Sequence, residues 1–143
     1  MSALDIALDF IKAAEGCKLK AYLDEGGIWT VGYGQTGRHV TKDTVWTQEQ
    51  ADESLVHYVT PLLDVIEDLV RVEVSDNQMG ALVSLAYNIG TSAFAKSTVL
   101  RELNKKHFDE AADAFLMWRK VAGKDSPGLL KRRQRERALF LRP

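Results

Sequence analysis

The 143-residue sequence predicts an α+β fold, mainly α, in which a small N-terminal β-hairpin lobe lies beside a larger helical lobe. Three observations predict it. Apolar residues recur at three- and four-residue steps at the start of the chain, two short runs rich in aromatic and branched residues follow, and capping-box sequences open helices farther on. The length fits one domain over residues 1–143, and we find no internal repeat or low-complexity segment.

The first predicted helix begins after Ser2, whose side chain can cap it. Leu4, Leu8 and Ile11 then fall on one face of the helix. Gly16 is well placed to end it, because glycine adopts the left-handed conformation of a C-terminal cap without steric cost.

Two strands are predicted next, Leu19 to Leu23 and Ile28 to Tyr33. The Asp-Glu-Gly-Gly segment between them is a turn signal, so the strands form a hairpin. A third short strand is predicted near Arg38 to Val40. These elements make up the smaller lobe, from about residue 17 to 45.

The larger lobe, residues 1–15 and 47–143, is predicted to be helical. Thr47 begins a sequence of the capping-box form, which opens a long helix. Proline suits the first turn of a helix, so Thr60-Pro61 is predicted to restart the helix there.

A second capping box spans Ser75 to Gln78 and opens a strongly apolar helix that ends near Gly90. We expect this helix to be central and largely buried. The remaining predicted elements are helices from about Ser97 to Asn104 and Asp109 to Lys120, a loop over Gly123 to Gly128, and a basic helix from about Pro127 to Phe140. Clefts between two lobes are where substrates usually bind.

Charge is distributed unevenly along the chain, although the net charge is only −1. From Trp118 to Pro143 there are nine Lys or Arg and two acidic residues, a net charge of +7, whereas the rest of the chain carries −8. A basic end suggests an anionic partner, such as a cell-wall polymer, a membrane surface or nucleic acid. A solvated helix face that pairs with the acidic body explains the same pattern.

No cofactor or metal site is predicted. His39, His57 and His107 are scattered, and no thiol or carboxylate lies beside them at ligand spacing. Asp5 and Asp9 interrupt the apolar N-terminal stretch, so we expect neither a signal peptide nor stable insertion into a membrane. The sequence is that of a protein expected to be made in the cytosol.

Glu15 is a candidate general acid for cleavage of a glycosidic bond. Such cleavage needs one carboxyl group to protonate the leaving oxygen and a second to aim water or attack the sugar. The acid must stay protonated near neutral pH, and the negative end of the first helix disfavours the ionised form of Glu15 by up to about 1 kcal/mol. Desolvation in a cleft would have to add to that effect. Taken singly, a surface residue at a helix end is the commoner explanation.

Asp24 and Thr30 can be placed relative to each other by the pairing of the hairpin. If residues 25–27 form the loop, Asp24 pairs with Ile28 and Tyr22 pairs with Thr30. Asp24 and Thr30 then share a face as diagonal neighbours, roughly 7–8 Å apart at Cα, and can hold a water molecule between them. A register shifted by one residue would put the two side chains on opposite faces.

The stretch from Glu15 to Gly34 resembles the catalytic hairpin of the phage-type lysozymes, the muramidases used as endolysins. The pattern is a glutamate–glycine pair, an aspartate nine positions after the glutamate, a threonine six positions farther on, and then Gly-x-Gly. The segment that ends at Gly90 looks like the end of the family's central helix, and the segment from Gly128 to Phe140 resembles its C-terminal helix. The resemblance thus spans nearly the whole chain.

The resemblance implies hydrolysis of the β-1,4 bond between N-acetylmuramic acid and N-acetylglucosamine in peptidoglycan. Glu15 would be the general acid, Asp24 would position or activate water, and Thr30 would help to hold that water. Members with this hairpin are inverting, which fits a gap of roughly 6.5–9.5 Å between the carboxyl groups. Further substrate contacts are expected from five residues: Tyr33, Gln35 (histidine in many members), Tyr87, Asn88 and Ser97.

The resemblance also implies the biology of an endolysin. Such an enzyme accumulates in the host cytoplasm until a holin releases it to the cell wall, where it lyses the host. We expect a monomer that needs no cofactor and binds no nucleic acid. In the basic end, Arg132 or Arg133 is expected to pair with acidic groups near the cleft, with Glu15 as one candidate.

Two other classes of function stay open at this point. Cys17 would be the nucleophile of a peptidase or amidase that acts on peptide stems, which requires a histidine base beside it. A small, partly buried hydrophobe is the simpler interpretation of this cysteine. The basic C-terminal helix would suit a module that binds nucleic acid or the cell wall, although no aromatic ladder is interleaved with its charges.

Overall fold

The computed structural model describes residues 1–143, and its first helix is the one predicted. Helix α1 (Ala3–Glu15) is capped by the Ser2 hydroxyl, which accepts a hydrogen bond from the Asp5 amide at 3.1 Å. It ends at Gly16, where φ is +69°. Glu15 is therefore the last residue of the helix.

Two short antiparallel strands follow, β1 (Lys18–Leu23) and β2 (Trp29–Gly32). Tyr22 lies opposite Thr30, and the Asp24 amide donates to the Ile28 carbonyl at 3.0 Å. The predicted register is confirmed. Because side chains alternate along a strand, this register puts Asp24 and Thr30 on the same face.

The prediction of a third strand near Arg38 to Val40 is wrong. Gly37, with φ +129°, turns the chain there, and the next strand-like contact is a single bridge between Lys20 and Val45. Val40 is buried in a small hydrophobic cluster with Ala21 and Val31, so its apolar side chain serves packing and not a strand.

Helix α2 (Gln48–Leu69) begins at the predicted capping box of Thr47. The prediction that Thr60-Pro61 restarts a helix is wrong, because α2 runs through Pro61 without a break. Buried residues on both sides of the proline, among them Leu55 and Ile66, hold the two halves of the helix against the same core.

Helix α3 (Asp76–Ile89) is central, as predicted, and packs against α1 and α2. Every residue from Met79 to Ala86 is buried. A Cβ atom at Gly80 would lie 2.6 Å from Cγ2 of Ile6, so glycine is what permits the close approach of α1 to α3.

The rest of the chain adds smaller elements and the last helix. In order they are α4 (Thr91–Ala95), α5 (Thr98–Asn104), α6 (Phe108–Ala114), a 3₁₀ turn (Phe115–Met117), β3 (Lys120–Val121), β4 (Lys124–Asp125) and α7 (Pro127–Leu141). The predicted helix from Asp109 to Lys120 ends early, because the chain tightens into the 3₁₀ turn. The predicted loop at 123–128 contains the second strand of a small hairpin. None of the helices is both long enough and apolar enough to span a membrane.

Candidate active site

A cleft of about 800 Å³ is bordered by the hairpin segment and by helices α2 and α3. Four of the predicted site residues line it: Glu15, Gln35, Tyr87 and Asn88. They come from the end of α1, from the turn after β2 and from the last turns of α3, so the fold brings together residues that are far apart in sequence.

The cleft has a second wall that the sequence analysis missed. One face of α2 contributes polar and aromatic side chains at three- and four-residue steps: Gln50, Glu53, Ser54, His57 and Tyr58. Trp46 lines the cleft from the segment before α2 and also packs against both hydrophobic clusters of the protein. The spacing along α2 was the available signal, since it marks the helix face opposite the buried Leu55 and Val59.

Glu15 is paired with Arg132, which settles the choice that the sequence left open. Nη1 of Arg132 donates to Oε2 of Glu15 at 2.5 Å, and the two side chains are 9% and 22% exposed. The guanidinium of Arg132 thus lies directly against the carboxyl group that the sequence analysis predicts as the general acid. Gly34 leaves room beside the acid, because a Cβ atom there would lie 3.5 Å from Oε1 of Glu15.

A buried carboxylate lies behind this pair. Oε2 of Glu136 accepts a hydrogen bond from the Ser84 hydroxyl at 2.6 Å and lies 3.4 Å from Nε of Arg132. Glu136 is fully buried, and burial raises the pKa of its carboxyl group, against the opposing effect of the two neighbouring arginines. Sequence reasoning missed Glu136 because a glutamate in a basic helix is also typical of a surface ion pair.

Arg133 is the other arginine of this cluster. It is fully buried, and burial lowers the pKa of its guanidinium. Its Nη2 donates to the side-chain carbonyl of Asn88, a residue of the cleft. Its Nη1 lies 3.1 Å from Oε1 of Glu136, but the two atoms are not aligned for a hydrogen bond.

Asp24 and Thr30 both form hydrogen bonds with the main chain of Ile28, at the turn of the hairpin. Oδ1 of Asp24 accepts from the Ile28 amide at 2.9 Å, and the Thr30 hydroxyl donates to the Ile28 carbonyl at 2.9 Å. Thr30 is buried, while Asp24 is partly exposed. Neither is among the residues that line the cleft around Glu15.

Tyr33 does not line the cleft, but its main chain contacts a residue that does, Tyr87. Its carbonyl accepts from the Tyr87 hydroxyl at 2.6 Å, and Gln35 donates to that hydroxyl at 2.9 Å. Burial raises the pKa of Tyr87, and the charge of Glu15 adds to the effect. The phenol of Tyr33 instead donates a hydrogen bond to Asp52 of α2 at 2.7 Å.

Ser97 is not brought to the cleft. It is buried at the N-terminus of α5, where its hydroxyl donates to the Phe94 carbonyl at 2.7 Å and accepts from the Leu100 amide at 3.2 Å. The hydrogen bond from Leu100 caps α5, and the one to Phe94 joins this cap to α4.

Cys17 has the Gln48 amide as its hydrogen-bonding neighbour, at 3.8 Å, and no hydrogen bond to a histidine. A cysteine nucleophile needs such a base, so the geometry does not favour the peptidase alternative. No group of three or more His, Cys, Asp or Glu side chains converges in a way that could hold a metal ion.

The hairpin with its carboxylate and hydroxyl, the glutamate at the end of α1 and the helical lobe behind them define a lysozyme-like glycoside hydrolase. The sequence pattern of the phage lysozyme family matches residues 12–136. The chain belongs to the phage lysozyme family.

Individual proteins agree with this assignment. The endolysin of Salmonella phage P22 is 52% identical over 135 residues, which is 92% of each chain. A solved point mutant of P22 lysozyme superposes with a TM-score of 0.87 at 47% identity and covers 99% of both chains. The muramidase domain of SpmX from Asticaccaulis excentricus superposes with a TM-score of 0.89 at 35% identity, over 96% of this chain and 95% of that one.

Proposed function

We propose that this protein is an endolysin that hydrolyses the β-1,4 bond between N-acetylmuramic acid and N-acetylglucosamine in peptidoglycan. The observation that carries the proposal is a cleft glutamate held by a buried arginine, in a chain that belongs to the phage lysozyme family. The polar lining of the cleft suits a sugar polymer, which offers hydroxyl and amide groups along its length.

In this proposal Glu15 is the general acid. It protonates the glycosidic oxygen as the bond to the anomeric carbon breaks, and it leaves the reaction as a carboxylate. Arg132 lies against Oε2 of Glu15 and would stabilise the negative charge that forms there.

Asp24 and Thr30 would hold the attacking water. The Thr30 hydroxyl already donates its proton to the Ile28 carbonyl, so toward a water it can only accept. A water that donates one proton to Thr30 and the other to Asp24 presents its lone pair to the sugar. Transfer of a proton to Asp24 during the attack leaves a neutral hydroxyl on the anomeric carbon, with inverted configuration.

The substrate partner is peptidoglycan, and we propose that the protein acts as a monomer. We further propose that it accumulates in the cytoplasm of the infected host and reaches the wall when a holin opens the membrane. Lysis by induced cells with and without a co-expressed holin tests the release step, since lysis that is equally fast without a holin would contradict it.

The catalytic proposal is tested by digestion of purified peptidoglycan with the wild type and Glu15→Gln. We expect new reducing ends and no new amines from the wild type, because the bond that breaks joins two sugars. In Glu15→Gln the rate should fall by about 10²–10⁴-fold or more, because the amide cannot donate an acidic proton. Glu73→Gln, at an exposed position outside the cleft, is the matched control. Release of amines by the wild type would contradict cleavage of a sugar–sugar bond, and substantial activity in Glu15→Gln would contradict the role of Glu15 as general acid.

A further inference from the structure

Glu136 does not line the cleft, yet it contacts both of the arginines that reach cleft residues. Arg132 lies between Oε2 of Glu136 at 3.4 Å and Oε2 of Glu15 at 2.5 Å. Arg133 lies between Oε1 of Glu136 and the side chain of Asn88. One buried carboxylate on α7 is thus connected to a cleft residue on α1 and to another on α3.

From these contacts, and resting on the proposed function above, we propose that Glu136 is a positioning residue of the hydrolase. It holds Arg132 against Glu15 and Arg133 against Asn88, and by sharing the charge of Arg132 it limits how strongly Arg132 stabilises ionised Glu15.

The orientation of Arg132 depends on partners along several edges of its guanidinium. Nη1 donates to Glu15, Nε to Glu136, and Nη2 to the carbonyl and hydroxyl of Ser84 at 3.4 Å. A planar guanidinium with partners on separate edges cannot rotate without losing one of them. The Nε contact is the one that Glu136 supplies.

Arg133 depends on Glu136 for its charge balance. It is fully buried, and Glu136 is the carboxylate that forms an ion pair with it. Asn88, which accepts from Arg133, lines the main cleft and also two smaller pockets, one beside α1 and one beside Trp118. A displaced Arg133 would therefore disturb a residue at the junction of three concave surfaces.

The charges around Glu136 give the proposal a pH signature. The groups that face it are Arg132 and Arg133 from its own helix and Ser84 from α3, and Glu15 of α1 lies beyond Arg132. Without the charge of Glu136, Arg132 would favour ionised Glu15 more strongly, and a direct repulsion of that carboxylate would also vanish. The rate of a variant that lacks this charge should then begin to fall at a lower pH than that of the wild type, because the reaction needs a protonated general acid.

The test is the pH dependence of reducing-end release by the wild type and Glu136→Gln. We expect the alkaline limb of the variant's profile to lie at a pH about 1 unit lower than that of the wild type. The rate of the variant should then be about tenfold below that of the wild type at neutral pH and equal to it at acidic pH. A purely structural role would lower the rate at every pH and leave the limb in place. Asp113→Asn is the control. It breaks the exposed ion pair with Arg137, which follows Glu136 on α7, and should leave the limb in place.

Ser84→Ala covers the outcome in which Glu136→Gln does not fold. It keeps all the charges and does not weaken the helix, but it removes the 2.6 Å hydrogen bond that favours ionised Glu136 and the 3.4 Å contact of the hydroxyl with Arg132. We expect a smaller shift of the limb in the same direction. If Glu136→Gln folds and its alkaline limb stays at the wild-type position, the proposal is overturned. If Glu136→Gln does not fold, the same result in Ser84→Ala overturns it. Reducing-end release by the wild type would leave the proposed function standing in either case.

Discussion

The main chain of Ile28 is held by two side chains that the proposed reaction uses, one at its amide and one at its carbonyl. Its amide donates to Asp24 and its carbonyl accepts from Thr30, each at 2.9 Å. These two hydrogen bonds fix the carboxylate and the hydroxyl relative to one backbone unit, which costs less conformational entropy during the reaction than positioning two free side chains. Because the Thr30 hydroxyl donates its proton to the Ile28 carbonyl, it can only accept a hydrogen bond from a water.

Replacement of Thr30 by valine tests this role. Valine keeps the branched shape and the strand propensity but has no hydroxyl, so we expect the rate of reducing-end release to fall on the order of 100-fold. Thr30→Ser keeps the hydroxyl and should stay within about tenfold of the wild type. Wild-type rates in Thr30→Val would remove Thr30 from the mechanism.

At the scale of elements, α2 forms one wall of the cleft and continues through a proline. Pro61 has no amide proton to donate to the preceding turn, and the Thr60 hydroxyl donates to the Val56 carbonyl at 2.7 Å. The helix stays continuous because its apolar face is buried on both sides of Pro61, which outweighs the local cost of the proline.

Pro61→Ala should therefore stabilise the protein. Alanine restores the missing backbone hydrogen bond and relieves the ring contact, and we expect the free energy of unfolding to rise by about 1–3 kcal/mol. Urea denaturation measures it, with Asp64→Ala on the same helix as an exposed comparison. An unchanged or lower free energy of unfolding would mean that the helix backbone is already adapted to proline.

Asp52 joins α2 to α1 and to the hairpin segment. It accepts from the Tyr33 phenol at 2.7 Å and from Gln48 at 3.0 Å, and it lies 3.8 Å from Nζ of Lys12. The hydrogen bond from Tyr33, followed by that from Gln48, holds the pKa of Asp52 below its usual value. On the other partner, burial and then this hydrogen bond raise the pKa of Tyr33 to about 12.

A carboxyl group whose pKa is lowered by folding stabilises the protein above its unfolded pKa, about 3.9 for aspartate, and loses that contribution as the pH falls through the folded pKa. Asp52→Asn should therefore lower the Tm at pH 6, and the gap to the wild type should narrow below about pH 4. Asp64→Asn should show no such narrowing. A gap that is constant between pH 6 and pH 3 would contradict an ionic role for Asp52.

At the scale of the whole molecule, the sequence predicted what depends on neighbouring residues. The cap at Ser2, the capping boxes at Thr47 and Ser75, and the hairpin register that pairs Tyr22 with Thr30 are all local, and the structure confirms them. The errors have different local causes. At residues 38–40 the chain turns at Gly37, and before α7 it tightens into a 3₁₀ turn and an exposed two-stranded hairpin. At Pro61, burial of the apolar face of α2 overrides the local preference of proline.

The contacts of the site depend on long-range packing, which the sequence does not reveal. Glu15 and Arg132 are 117 positions apart. Which of two adjacent arginines reaches Glu15 depends on how α7 is rotated about its axis against α1 and α3, because neighbouring residues on a helix point about 100° apart. Ser97 illustrates the same limit, since a serine that caps a helix and one that contacts a substrate have the same sequence signal.

The partners of the basic C-terminal segment are also determined only in the folded molecule. Arg132 and Arg133 turn inward and face Glu15 and Glu136, whereas Arg137 pairs with Asp113 at the surface. Part of the local excess of positive charge is thus balanced inside the protein, beside the cleft. A binder that used the whole basic helix would need these two side chains at its surface.

The water held by Asp24 and Thr30 is tested most directly by the anomeric configuration of the fresh product. Proton NMR of soluble glycan strands, recorded in the first minutes of digestion by the wild type, should show the α-anomer of the new reducing end before mutarotation produces a mixture. Attack by a water on the face opposite the leaving group can give only that anomer. A product that first appears as the β-anomer would contradict the mechanism, because retention requires two successive displacements, the first by a nucleophilic carboxylate or by the acetamido group of the sugar.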